Sequence, residues 1–166
     1  YYLAFSGGKD SVVVKRLCDM AGVKYDAHYN VTSVDPPELV QFIKEQYPDV
    51  KREIPHDDEG KPITMWNLIP RKLMPPTRLM RYCCAELKET GGYGRAVVTG
   101  VRWAESSRRA RDRGVVEIGD KKTGTTIKYL NNDNTETREL LEACYQKKKT
   151  VLNPIITWSD EDVWEF

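Results

Sequence analysis

The chain has 166 residues, 40% of them hydrophobic, with 26 lysines and arginines against 25 acids and a formal net charge of +1. That much apolar material predicts one core and one domain. The balanced charge excludes a global field that would draw in nucleic acid or a membrane surface, so any attraction for anions has to be local.

No apolar run approaches the roughly 18–20 residues of a bilayer span, and the first residues do not form a signal peptide. Four cysteines are too few for the disulfide framework of a small secreted domain, so free thiols in a reducing cytoplasm are expected. Tyr1 lies inside the first apolar run and SDEDVWEF stops about two turns into a helix. An excerpt of a longer protein is therefore expected.

Residues 1–5 read as a buried strand, stopped by Gly7-Gly8. From Asp10, apolar positions at Val13, Val14, Leu17, Cys18 and Ala21 follow helical spacing, and Gly22 closes the helix. KYDAHYNV (24–31) predicts a second strand. Pro36-Pro37 opens a helix that places Leu39, Phe42, Ile43 and Tyr47 on one face. KREI (51–54) suits a third strand and HDDEGKP a solvated loop, while MWNLIPRKLMPP (65–76) is irregular or briefly helical. Residues 77–88 have helical spacing and end before Gly91-Gly92. AVVTGV (96–101) predicts a strong buried strand. Residues 111–134 alternate weakly and predict a hairpin, and 135–145 a helix. In the final SDEDVWEF helix, Ser159 and Asp162 form a near capping box.

Strands alternating with helices argue for an α/β fold, a Rossmann-like, mostly parallel sheet with helices on both faces, as a single domain over residues 1–166. The first strand then delivers SGGKDS (6–11) at its carboxyl end, where doubly wound sheets bind ligands. Glycine permits a positive φ and close approach to the backbone. Successive N–H groups, the start of a helix, Lys9 and the hydroxyls of Ser6 and Ser11 together suit a phosphate or pyrophosphate. The competing reading is a glycine turn whose Ser6 or Asp10 caps the helix. The spacing is not GxxxxGK[ST], so no Walker loop is assigned.

Residues 102–113 hold Arg102, Arg108, Arg109, Arg111 and Arg113 against two acids, again after a strand. Arginine forks match phosphate or sulfate oxygens, although a solvated arginine-rich helix has the same composition. Arg71, Lys72, Arg78 and Arg81 add positive charge without an intervening acid and suit the same cleft. A nucleic-acid surface there is not favoured, because interleaved aromatics are sparse. Vicinal Cys83-Cys84 bridge only with strain, so no structural disulfide is read, and one of them on an amphipathic helix suits a packed, small apolar position. His28 and His56 lack metal-ligand spacing, and no zinc site is read. Trp158 and Trp164 read as core and cap.

SGGKDS resembles the PP-loop of the adenine-nucleotide alpha-hydrolase-like superfamily. RYCCAELK (81–88), VTGVRWAESSRRA (98–110) and NPIITWSDEDVWEF (153–166) resemble, in order, successive blocks of the phosphoadenosine phosphosulfate reductase family. The resemblance implies a PP-loop nucleotide-binding domain with the ligand's phosphates on Ser6, Gly7, Gly8, Lys9, Asp10 and Ser11. It implies a nucleoside near Thr32 to Asp35, and Gly100, Arg102 and Arg108 or Arg109 at the substrate's anionic end.

In related reductases a Cys-Cys pair and a downstream Cys-x-x-Cys hold a [4Fe–4S] cluster. That makes Cys83, Cys84 and Cys144 possible ligands, although no Cys-x-x-Cys occurs in the sequence. The implied reaction is thiol-dependent reduction of a sulfonucleotide to sulfite, with the thiol on a mobile carboxy-terminal segment and a thioredoxin-like donor. Two alternatives stay open. One is a PP-loop ATP pyrophosphatase that uses magnesium to activate a substrate for sulfur transfer, including to nucleic acid. The other is a nucleotide-binding module without catalysis.

Overall fold

A three-residue strand, Tyr2–Ala4, opens the chain and is followed by the glycine turn and a twelve-residue helix, Lys9–Met20. The computed structural model describes residues 1–77, 80–89, 91–119, 126–129 and 149–166. Among these the elements in chain order are β1 (Tyr2–Ala4), α1 (Lys9–Met20), β2 (Asp26–Asn30), α2 (Pro37–Gln46), β3 (Lys51–Glu53) and α3 (Met65–Lys72). A π-helical turn at Cys84–Lys88, β4 (Ala96–Val98), a 3-10 turn at Trp103–Glu105 and α4 (Ser107–Asp112) follow. The series ends with β5 (Val116–Gly119), β6 (Thr126–Tyr129), β7 (Lys149–Leu152) and α5 (Asp160–Glu165). The chain groups into two units, residues 1–27 with 92–166, and residues 28–91.

In the first unit β1 pairs parallel with β4, and β4 parallel with β7. β5 runs antiparallel to β7, and β6 antiparallel to β5. Leu3, Val97 and Val98 are buried, as strands covered on both faces require. The β5–β6 ladder, from Val116↔Tyr129 to Gly119↔Thr126, is the hairpin that the weak alternation predicts. The helix expected at 135–145, with Cys144, lies outside the described residues. On α1 the core-facing positions are Ser11, Val13, Val14 and Cys18, and Gly22, with φ of 61°, follows its end. A polar knot lies in the core of this unit. Asn153 is fully buried, and its Nδ2 donates to Gly114 O at 2.7 Å and Glu117 Oε1 at 2.9 Å, tying the end of β7 to β5.

In the second unit β2 and β3 pair parallel, from His28↔Lys51 to Asn30↔Glu53, with α2 as the crossover. Of the apolar face expected on α2, Ile43 is buried. Phe42 instead lies at the rim, edge-on to Tyr47 at 5.7 Å. His28 is buried, with its Nδ1 2.5 Å from Glu53 Oε1.

Residues 65–72, left open as irregular or briefly helical, take the second form as α3, because Thr64 and Asn67 make a reciprocal capping box. One local expectation needs correcting. Thr77, Met80 and Arg81, read as part of the start of a helix, do not belong to one. Thr77 Oγ1 accepts from Met80 N–H at 3.0 Å while Thr77 N–H donates to Met80 O at 3.2 Å. That local turn, after Pro75-Pro76, satisfies backbone groups a helix would need.

Candidate functional site

The turn between β1 and α1 is built on a single constrained glycine. Gly7 has φ of 73°, which a side chain disfavours, whereas Gly8 is extended with φ of −79° and ψ of 160°. Ser11 fastens the turn: its hydroxyl donates to Gly8 O at 2.8 Å and accepts from Ser6 N–H at 3.3 Å. Ser6 O–H donates to Ser11 Oγ at 3.3 Å, and Gly8 N–H reaches Ser6 Oγ at 3.5 Å. No side chain caps α1. The first N–H groups of a helix have no intrahelical acceptor, and those of Lys9 and Asp10, with that of Gly7, meet no protein acceptor among the described residues.

Four charged side chains close one side of this turn. Lys9 Nζ lies 2.6 Å from Asp160 Oδ1 and 3.5 Å from Asp10 Oδ1, and 5.6 Å from the centroid of the Trp164 ring. Arg102, only 2% exposed, is the anchor of the group. Its Nε donates to Asp10 Oδ1 at 2.7 Å, its NH2 to Asp160 Oδ1 at 2.7 Å and its NH1 to Trp158 O at 3.3 Å. Burial works against the Arg102 charge, but its hydrogen bonds to Asp160 and Asp10 outweigh it and hold the guanidinium protonated. Lys9, then Arg102, keeps the Asp160 carboxyl below the ordinary carboxylate range. Gly100 makes the arrangement possible. A Cβ there would lie 2.9 Å from the carbonyl carbon of Asp10 and 3.0 Å from its oxygen, so a side chain would push against the first turn of α1.

Of the residues expected at this site, Ser6, Gly7, Gly8, Lys9, Asp10, Ser11, Gly100 and Arg102 are thus brought together. Arg102, expected to reach an anionic substrate, spends its donors on Asp10, Asp160 and Trp158. Arg108 and Arg109 sit on α4, which Ser106 caps by accepting from Arg109 N–H at 3.2 Å. Arg108 pairs with Asp112 at 3.5 Å, and Arg109 with Glu105. Trp164, expected in the core or a cap, is 73% exposed and faces Lys9. Asp160 was not singled out from sequence: it lies 151 residues from Lys9, and its SDED context reads as helix capping.

In the second unit Thr32 and Asp35 form one network. Asp35 Oδ2 accepts from Thr32 O–H at 2.7 Å, Thr32 N–H at 3.0 Å and Tyr29 O–H at 2.7 Å. Burial pushes the Asp35 carboxyl up, but the bonds from Thr32 and Tyr29, with the Lys88 charge, bring it below its ordinary value. Burial first, and the Asp35 contact second, push the Tyr29 phenol up. Cys83 and Cys84 are free thiols, half-buried, at the entry to the π-helical turn, and Arg81 NH2 lies 3.4 Å from Cys84 Sγ. A [4Fe–4S] cluster takes four thiolates. Cys83 and Cys84 by themselves do not make that site, and Cys144 lies outside the described residues. Of the basic run at 71–81, Arg71 pairs with Asp57 at 2.7 Å and Lys72 with Glu86 at 3.0 Å, while Arg78 lies outside the described residues.

The glycine turn at the end of the first parallel strand agrees with a match over the whole length, residues 1–166, to the phosphoadenosine phosphosulfate reductase domain. The chain belongs to that family. No curated protein matches it. The mostly parallel α/β sheet is the fold this family implies. Among the described residues, no helix is long and apolar enough to cross a membrane.

Proposed function

We propose that the chain binds an adenine nucleotide with its phosphates against residues 6–11 and acts as a sulfonucleotide reductase, releasing sulfite at the expense of a dithiol. The observation that carries the reading is that the N–H groups of Gly7, Lys9 and Asp10 meet no protein acceptor among the described residues, where Gly7 has a positive φ and a twelve-residue helix starts. Such a concavity, with the positive end of a helix dipole behind it and one lysine beside it, favours a phosphate. Family membership supports the substrate class.

In this reading a thiolate attacks the sulfur of the sulfonucleotide. The sulfur–oxygen bond to the phosphate breaks, and the electron pair leaves on the nucleotide's phosphate oxygen. A second thiol then attacks the thiosulfonate, yielding a disulfide and sulfite, so that the dithiol supplies both electrons. Lys9 and the helix start stabilise the charge that develops on the leaving phosphate. Arg108 and Arg109, near the surface of α4, attract the anionic end of the substrate. Arg102 holds Asp10 in place. A thioredoxin-like donor in a reducing cytoplasm would regenerate the dithiol.

The test is incubation with a sulfonucleotide and a dithiol donor. Sulfite and the desulfonated nucleotide should appear in equal amounts. Pyrophosphate released from ATP, without sulfite, would turn the assignment to the ATP-splitting alternative. Nucleotide binding with neither product would leave a non-catalytic module.

A further inference from the structure

We infer that Asp160 is an internal competitor for the ligand, a carboxylate that occupies Lys9 until a phosphate group displaces it, and so selects for highly charged ligands. The inference rests on reading residues 6–11 as the phosphate loop. Three observations carry it.

Lys9 Nζ, the one full positive charge on the glycine turn, is held by Asp160 Oδ1 at 2.6 Å, a shorter contact than the 3.5 Å to Asp10. The Asp160 side chain is 67% exposed, so burial does not oblige it to pair. Finally, Asp160 is tethered independently: the same Oδ1 accepts from buried Arg102 NH2 at 2.7 Å. When Lys9 turns towards a ligand, Arg102 still holds the carboxylate beside the turn.

The consequence is discrimination by charge. A singly charged anion arriving at Lys9 exchanges one negative partner for another and gains little. A group with two or three negative charges gains more from Lys9 than it loses to the neighbouring carboxylate. Removing the Asp160 charge should therefore tighten binding and weaken the discrimination.

Calorimetric titration of the full chain with pyrophosphate tests this. Asp160→Asn should bind about three- to tenfold tighter than the wild type, the range of a partly exposed charged contact. Glu161→Gln removes the same charge from the neighbouring exposed residue and should change affinity by less than about twofold. In a Lys9→Ala background, Asp160→Asn should give no gain, because the competition is for Lys9. Asp160→Ser repeats the measurement should the asparagine variant fold poorly. Unchanged or weaker binding by the Asp160 variants would overturn the inference while leaving the phosphate-loop reading intact. So would an equal gain from Glu161→Gln, or a gain that persists without Lys9. A wild type that does not bind pyrophosphate would overturn both.

Discussion

Lys9 has its charge shared between Asp160, Asp10 and the face of Trp164, and the proposal gives it a fourth partner in the ligand. Lys9→Ala should weaken phosphate-dependent nucleotide binding by roughly 1–3 kcal/mol, the size of a charge-assisted contact, as calorimetry would show. Equal affinity for both proteins would remove Lys9 from the site. Gly100 gives a purely steric prediction. The contact at 2.9 Å is with main chain, which cannot swing aside, so Gly100→Ala should displace the first turn of α1. Thermal denaturation should show a lower melting temperature, accompanied by loss of nucleotide binding. An unchanged melting temperature would contradict the packing described. Arg102 was legible as a position, because an arginine-rich block after an apolar strand stands out, and Gly100 came only with the family resemblance. Their physical roles were not legible. Arg102 meets partners 92 and 58 residues away in sequence, and local spacing carries no information about pairs at that separation.

Short elements were read best where one local rule decides them. The glycine turn stopped β1, alternation announced the β5–β6 hairpin, and Ser159 with Asp162 marked the start of α5. α3 was left open between irregular and briefly helical, because its capping box uses Asn67 in place of the usual Glu or Gln and Pro70 sits inside it. If that box holds the helix, Thr64→Ala should lower stability by about 1 kcal/mol in urea denaturation. The expected helix start was over-read at Thr77 and Met80, because apolar spacing ignores the competing turn that these two residues close.

Asp35 makes a pH prediction for the loop after β2. Its carboxyl is lowered in the folded state, so its contribution to stability is complete above its unfolded value of about 3.9. The contribution drains away as pH falls through the lower folded value. Asp35→Asn should therefore destabilise the protein at pH 7 and differ less from the wild type at pH 3, measured by urea midpoints. A difference that does not shrink in acid would remove Asp35 from the account.

At the scale of the whole chain, the parallel pairing of β1 with β4 brings the proposed site together. Tyr2 lies opposite Val97 and Leu3 opposite Val98, so both strands end at the same edge of the sheet. There SGGKDS and the Gly100–Arg102 segment meet, although about ninety residues separate them in sequence. The alternation of strands and helices made this topology legible. The closure by Asp160 was not, since nothing near SDED points to Lys9.

The most direct test of the central claim is an amide nitrogen–proton NMR titration of the full chain with an adenine nucleotide bearing a pyrophosphate. The account predicts that the largest shifts fall on Gly7, Gly8, Lys9 and Asp10 and saturate together. Saturable binding that leaves those four amides unmoved while others shift would contradict it.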